Sequence, residues 1–300
     1  MDAVSLNQGD LFKLDSPLFG DVQGEQTVAE FPFFALAKKK QMKPMIFESD
    51  DVRIQINPGS DGIATIYDKE ILLYIASLMV ERMERGEKVE QCLTFTANDL
   101  FRVTDTNASA RSYSSLRASL QRLQGTQIIT NVETGGEGHE GAFSWVLKYE
   151  IKHTRDRNGE RRVKAIEVMV CDWLYRAILT DRRIAAYHLD FFKLGPIERR
   201  LYELAMFNCQ DGNGYIIGIE ALAARVGCST DGRGLEYFKK ELRRISDSDT
   251  LPEYFLEIIE EKLPSPKGGR PRLETSIRFD ARPDAARRRK LIHKRGDDAA

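Results

Sequence analysis

No apolar run in the chain approaches the roughly 20 residues that cross a bilayer, and the N-terminus has no basic region followed by an apolar core. The expectation is a cytoplasmic protein with no membrane partner. Cysteine is scarce: Cys92, Cys171, Cys209 and Cys228 stand apart, without a C-x-x-C pair. Each reads as a small reduced hydrophobe, and no disulfide framework is indicated. His139, His153, His188 and His293 do not cluster with them, so no metal site is expected. The glycine-rich run Gly135–Gly141 is not followed by Gly-Lys-Ser/Thr and opens no helix, which removes a phosphate loop and ATP hydrolysis. It reads as a wing tip. The carboxylate pairs Asp50-Asp51 and Glu260-Glu261 lack a third ligand at recognisable spacing for a nuclease metal. Tyr113 sits on an apolar stripe with no histidine near it, a core tyrosine rather than a strand-cleaving nucleophile. Trp145 and Trp173 read as core as well. No cofactor, metal or catalytic residue is expected, and a nicking enzyme is kept only as the rival from another class.

Net charge is also missing: 45 basic residues meet 46 acidic ones. The distribution is uneven. Residues 1–30 carry Asp2, Asp10, Asp15, Asp21, Glu25 and Glu30 against Lys13, whereas the tail carries Arg282, Arg287, Arg288, Arg289, Lys290, Lys294 and Arg295 against Asp284. A basic end is where a phosphate backbone would be held. Three hundred residues accommodate two domains, each with its own core.

What is present is a helix with two unlike faces. In Arg111–Asn131, Tyr113, Leu116, Leu120 and Leu123 form one narrow apolar stripe. Arg111, Ser114, Ser115, Ala118, Gln121 and Arg122 fall opposite, with Arg117 beside them. Gly125 reads as a left-handed stop, and Ile128-Ile129 begins a strand. Small polar groups let a backbone approach the major groove, while arginines reach phosphates and guanine edges; an ordinary amphipathic helix has the same two faces, and it is the recurrence of the pattern that favours the groove.

Along the chain, residues 1–30 read as a disordered acidic leader, and Phe31–Phe34 as a segment that docks on the body. Val52–Ile56 alternates as a strand, Asn57-Pro58-Gly59 turns, and Ile63–Ile66 returns as a second strand. Asp68 is placed to cap a helix running to Arg85. A short strand at Cys92–Phe95 and a short helix at Ala97–Val103 precede the two-faced helix. Strands at Gln127–Val132 and Phe143–Ile151 follow it around the glycines. A further hairpin is expected around Asn158-Gly159, and a helix at Asp172–Leu179 joins two domains.

The pattern then recurs. Leu235, Phe238, Leu242 and Ile245 match Tyr113, Leu116, Leu120 and Leu123 without a gap, and Leu201-Tyr202 matches Leu73-Tyr74. The second helix exposes Arg233, Glu236, Tyr237, Lys240, Arg243 and Arg244, with Lys239 at its edge, and reads as the more basic copy. Strands at Tyr254–Lys262 and Leu273–Phe279 flank LPSPKGGRPR, whose Gly269-Arg270-Pro271 reads either as a minor-groove contact or as a solvated loop. The fold class expected is α+β: two tandem winged helix-turn-helix domains at 31–180 and 181–280, with the leader before them and a basic tail, 281–300, after.

Gly62–Ser77 (GIATIYDKEILLYIAS), RSYSSLRASLQRLQGTQIITN, Phe143-Ser144-Trp145, DWLYRAIL and Pro196–Ala205 (PIERRLYELA) together resemble the replication initiator protein A family of bacterial plasmids, over roughly residues 31 to 280. The resemblance implies a plasmid replication initiator that binds repeated duplex sites in its origin and helps open them for the host initiator and helicase. It supplies no catalytic residues. It also implies that the first domain pairs two copies into a dimer while the second binds DNA most tightly. The expected DNA-binding residues are Arg111, Ser114, Ser115, Arg117 and Arg122 in the first helix, Arg233, Lys239, Lys240, Arg243 and Arg244 in the second, and Lys267, Arg270 and Arg272 in the second wing. A transcriptional repressor using the same helices is the alternative.

Overall fold

The computed structural model describes residues 14–37, 39–49, 51–138, 141–155, 161–209, 214–263 and 272–283, with backbone only at Arg161 and Arg272. In chain order the elements are β1 (Gln23–Glu25), α1 (Gln26–Glu30), β2 (Met45–Ser49), β3 (Val52–Asn57), α2 (Lys69–Glu84), β4 (Cys92–Phe95), α3 (Ala97–Val103), α4 (Ala110–Gly125) and β5 (Gln127–Thr130). They continue with β6 (Val146–Arg155), β7 (Arg161–Val170), α5 (Asp172–Arg176) with a wide turn over Ala177–Asp181, and β8 (Ile184–Ala186). After a 3-10 turn at Leu189–Lys193 come α6 (Pro196–Asn208), β9 (Tyr215–Gly218), α7 (Ile219–Val226), α8 (Gly232–Ser248), β10 (Tyr254–Leu263) and β11 (Arg272–Ala281).

The protein is a mixed α/β structure in which one connectivity occurs twice. A long helix (α2) leads to a short strand (β4), a short helix (α3), a long helix (α4) and the β6–β7 hairpin, whose second strand returns beside β4 in the order β4-β7-β6. Elements α6, β9, α7, α8 and β10–β11 repeat the path, with β11 returning beside β9. The first unit has one addition. After α4 the chain enters β5, which pairs not with the hairpin but with β3, completing the sheet β2-β3-β5.

The apolar stripes explain the two long inner helices. Leu116, Leu120 and Leu123 of α4 are buried, as are Phe238, Leu242 and Ile245 of α8; burying each such side chain contributes about 1.5–3 kcal/mol. Ser109 caps α4 by accepting from the Ser112 N–H, and Asp231 caps α8 by accepting from the Gly234 N–H. Gly125 does not take the expected left-handed conformation; Thr126 leaves the helix extended. The constrained glycine is Gly59, where a Cβ would stand 2.6 Å from the Gly125 carbonyl oxygen.

Several local expectations are corrected. Residues 14–30 are part of the folded body: Leu18 and Val22 are buried, and β1 pairs with β8. Their acids serve as buried partners, Asp15 of Arg82 and Glu25 of the Thr27 and Val28 N–H groups; burial raises the Glu25 pKa. Residues 1–13 lie outside the described part. Ile63–Ile66 is buried but not a strand, and β3 pairs with β2 instead. The strand expected from Phe143 begins at Val146 and is itself the first arm of the hairpin that reaches Val170, and the Asn158-Gly159 turn lies outside the described residues. Gly135 is no wing tip. Its N–H donates to Asp181 at 2.9 Å, and a Cβ there would stand 3.3 Å from Arg176 and 3.4 Å from Thr180.

Buried charge joins the units. Lys69 at the start of α2 donates to Glu203 of α6 at 2.6 Å and to the Val28 carbonyl at 3.0 Å. Arg200 donates to the other Glu203 oxygen and to the Ala29 and Arg225 carbonyls. Arg199 of α6 pairs with Glu70 of α2 at 2.7 Å. Burial lowers the Lys69 pKa to about 8. Ions this deep persist only when their remaining donors are satisfied; the backbone carbonyls take up the Lys69 ammonium and the terminal nitrogens of Arg200, while the Arg200 Nε has no partner among the described residues.

Candidate nucleic-acid interface

On α4 the stripe sends Arg111, Ser114, Ser115 and Arg117 to the opposite side, where all four are exposed. Arg111 and Arg117 have no carboxylate within salt-bridge distance among the described residues, so their guanidinium groups are available to an incoming anion. On α8, Arg233, Lys240, Arg243 and Arg244 are exposed and Lys239 is half-buried. Here the cations are largely matched. Arg243 pairs with Glu260 of β10 at 2.9 Å, Arg244 with Glu241 at 3.0 Å, and Lys239 with Glu236 at 3.4 Å. Arg233 and Lys240 lack such a partner among the described residues. The side of each helix facing away from its stripe is open to solvent.

Arg122 departs from its expected role. It forms a two-pronged pair with Asp68, Nε to Oδ2 at 2.7 Å and Nη2 to Oδ1 at 2.6 Å, and Asp68 is only 1% exposed. The same carboxylate accepts from the Thr65 N–H and hydroxyl. Asp68 therefore makes no side-chain cap on α2; it fastens the last turn of α4 to the start of α2. Hydrogen bonding to Asp68 holds the Arg122 pKa up.

The second unit repeats this tie. At the constant offset that relates the two apolar stripes, Arg122 corresponds to Arg244, Arg117 to Lys239 and Arg111 to Arg233. Arg244 reaches Glu198 in the first turn of α6 at 3.2 Å, and Glu198 also accepts from the Gly195 N–H at 2.6 Å and the Thr250 hydroxyl at 3.0 Å. The chain thus carries two copies of one arrangement: an exposed arginine in the first turn of the inner helix, and an arginine near its end tied back to the leading helix.

Among the expected wing residues, Lys267 and Arg270 lie outside the described part, and Arg272 is described in backbone only, at the start of β11. The β6–β7 hairpin carries Lys148, Lys152, His153, Arg155, Arg162 and Lys164, basic residues to which spacing alone assigns no role. Tyr113 donates to Asn98 at 3.0 Å and packs edge-on against Phe101, while Trp145 and Trp173 are fully buried.

The model of the family described as replication initiator protein A matches residues 23–256. This chain belongs to the replication initiator protein A family. A relative described as a putative replication protein, from Wigglesworthia glossinidia brevipalpis, is 33% identical over 247 residues, covering 82% of this chain and 88% of that protein. Two solved structures of domains 2 and 3 of RctB have the same overall fold. One superposes with TM-score 0.56 at 14% identity, covering 85% of this chain and 96% of the other; the second gives 0.53 at 13%, covering 87% and 98%. Membership in the replication initiator protein A family supports a role in replication initiation. The family match begins at Gln23, inside the stretch expected to be a disordered leader, in keeping with the folded residues 14–30.

Proposed function

We propose that this protein is a plasmid replication initiator built as two tandem winged helix-turn-helix units that grip one duplex, without catalytic activity. The observation that carries the reading is the repeated unit, with an arginine-bearing face of α4 and of α8 open to solvent in both copies. In this reading α3–α4 and α7–α8 are the two helix-turn-helix pairs, and β6–β7 and β10–β11 are the wings. Arg111, Ser114, Ser115 and Arg117 read bases in one half-site. Arg233 and Lys240 do so in the other, with Lys239, Arg243 and Arg244 clamping phosphates. Lys267, Arg270 and Arg272 extend the second contact into the adjacent groove. Two helices about one turn of DNA apart imply a site of roughly 20 base pairs. The reading extends to repeated sites in the origin, duplex opening, pairing of two copies, contact with the host initiator and helicase, and action in the cytoplasm, and membership in the replication initiator protein A family is what supports that extension.

The test is replication of a plasmid carrying the origin when this protein is supplied in trans. Wild-type protein should sustain it, and Arg111→Ala combined with Lys240→Ala should abolish it while the protein remains folded. A protein that shuts off its own promoter yet supports no replication would instead be a repressor. Relaxation of supercoiled origin DNA by protein and magnesium would overturn the non-catalytic reading.

A further inference from the structure

Consecutive residues at the start of α2 hold different parts of the molecule. Asp68 grips Arg122 of α4, the next residue Lys69 grips Glu203 of α6, and Glu70 grips Arg199 of α6. On α6, Glu198 grips Arg244 of α8. The start of α2 therefore abuts the first half of α6, and a chain of ion pairs runs from one inner helix to the other. The middle of that chain is dry. Lys69 and Arg200 are each 1% exposed and Glu203 is fully buried; Tyr187 also donates to Glu203 at 3.0 Å. Sliding one helix along the other would strand a buried charge, so the contact favours a single seating.

A strap, residues 23–32, is threaded between the same helices. Its Gln23 N–H donates to Ser77 of α2 at 2.7 Å, and its Val28 carbonyl accepts from Lys69. Further along, the Ala29 and Glu30 carbonyls accept from Arg200, and Glu30 pairs with Arg225 of α7 at 3.5 Å. There is no slack in it. A Cβ at Gly24 would stand 2.6 Å from both Leu73 of α2 and Tyr187, and one at Gly227, between α7 and α8, would stand 3.3 Å from Pro32. Two units joined by a flexible linker accept half-sites at a range of separations. A packed joint with matched charges does not.

Resting on the duplex-binding reading above, we propose that this joint is a spacing gauge, fixing the separation and the rotation about the duplex of the two half-sites that the protein accepts. Lys69 and Glu70 are its positioning residues. They act through α2 and α6 on α4 and α8 and touch no base or phosphate.

The test takes the full chain and the duplex recovered by site selection from random DNA, with versions carrying extra base pairs between the half-sites. Each inserted pair moves the second half-site by about 3.4 Å and about 35°. An insertion of about half a turn should cost the wild-type protein about 100-fold in affinity or more, the advantage lost when one of two linked units cannot engage. The variant is Lys69→Met with Glu70→Gln. Glu203 keeps Arg200 and Tyr187 as partners, so no carboxylate is stranded in the core, and Glu70→Gln keeps an acceptor for Arg199. This variant should bind each isolated half-site at low salt like wild type, yet lose less than about tenfold for the same insertion. Wild-type protein that tolerates the insertions, while still preferring the selected site to random DNA, overturns the gauge and leaves the duplex-binding reading intact. So does a variant as sensitive to the insertions as wild type. A variant that also loses the isolated half-sites makes Lys69 and Glu70 general supports of the fold and overturns their assignment. Wild-type protein that binds no site better than random DNA would sink the duplex-binding reading itself.

Discussion

Helix α8 has more basic residues than α4, yet each helix leaves two cations without a carboxylate partner among the described residues. These are Arg111 and Arg117 on α4, where Arg122 is held by Asp68, and Arg233 and Lys240 on α8. Between Ala110 and Gly125 there are three arginines and no acid; between Gly232 and Ser248 five basic residues share the helix with Glu236, Glu241 and Asp247. Each of those glutamates lies beside a cation, and Glu260 reaches across from β10 to Arg243. The lesson is that counting lysines and arginines overstates the field of a helix whose own neighbours neutralise it. Exposed pairs contribute only about 0–1 kcal/mol each, so Arg243 and Arg244 can still turn to a phosphate, but they must first exchange one anion for another.

The largest effect that would sharpen this contrast is at the two ties. Arg122→Ala leaves the buried Asp68 carboxylate without its partner, which should cost about 3–5 kcal/mol in chemical denaturation. Arg244→Ala, at a pair whose arginine is 51% exposed, should cost about 1 kcal/mol or less; equal losses would erase the difference between the units. Next comes Arg111→Ala, expected to weaken binding to the repeat by about 1–3 kcal/mol and to relax preference at one base position, read by titration against single-base variants of the site. Arg233→Ala should do the same in the other half-site. The smallest effect is a gain. Glu260→Gln releases Arg243, and affinity for any duplex should rise by a few tenths of a kcal/mol, seen as a slightly steeper salt dependence.

Much of this was legible from spacing. The stripe Leu116-Leu120-Leu123, its return at Phe238-Leu242-Ile245, and the strands β10 and β11 all repeat within a few residues, so periodicity finds them. What spacing could not find depends on partners far along the chain. Arg122 looks like a groove arginine until Asp68, 54 residues earlier, is brought beneath it. Asp15 and Glu25 look like members of a solvated acidic leader until Arg82 and the start of α1 are in place. The hairpin that follows α4 was misplaced because β5 is claimed by β3, a strand drawn from before α2, and nothing local in Gln127–Thr130 says which sheet it will join.

Site selection from random duplex DNA, followed by footprinting of the selected site, addresses both inner helices together. A protected segment of roughly 20 base pairs is predicted, in which Arg111→Ala relaxes preference in one half only and Arg233→Ala with Lys240→Ala relaxes it in the other. A protected segment of about ten base pairs, or both variants acting on the same bases, would contradict the claim that two copies of one unit read a single duplex.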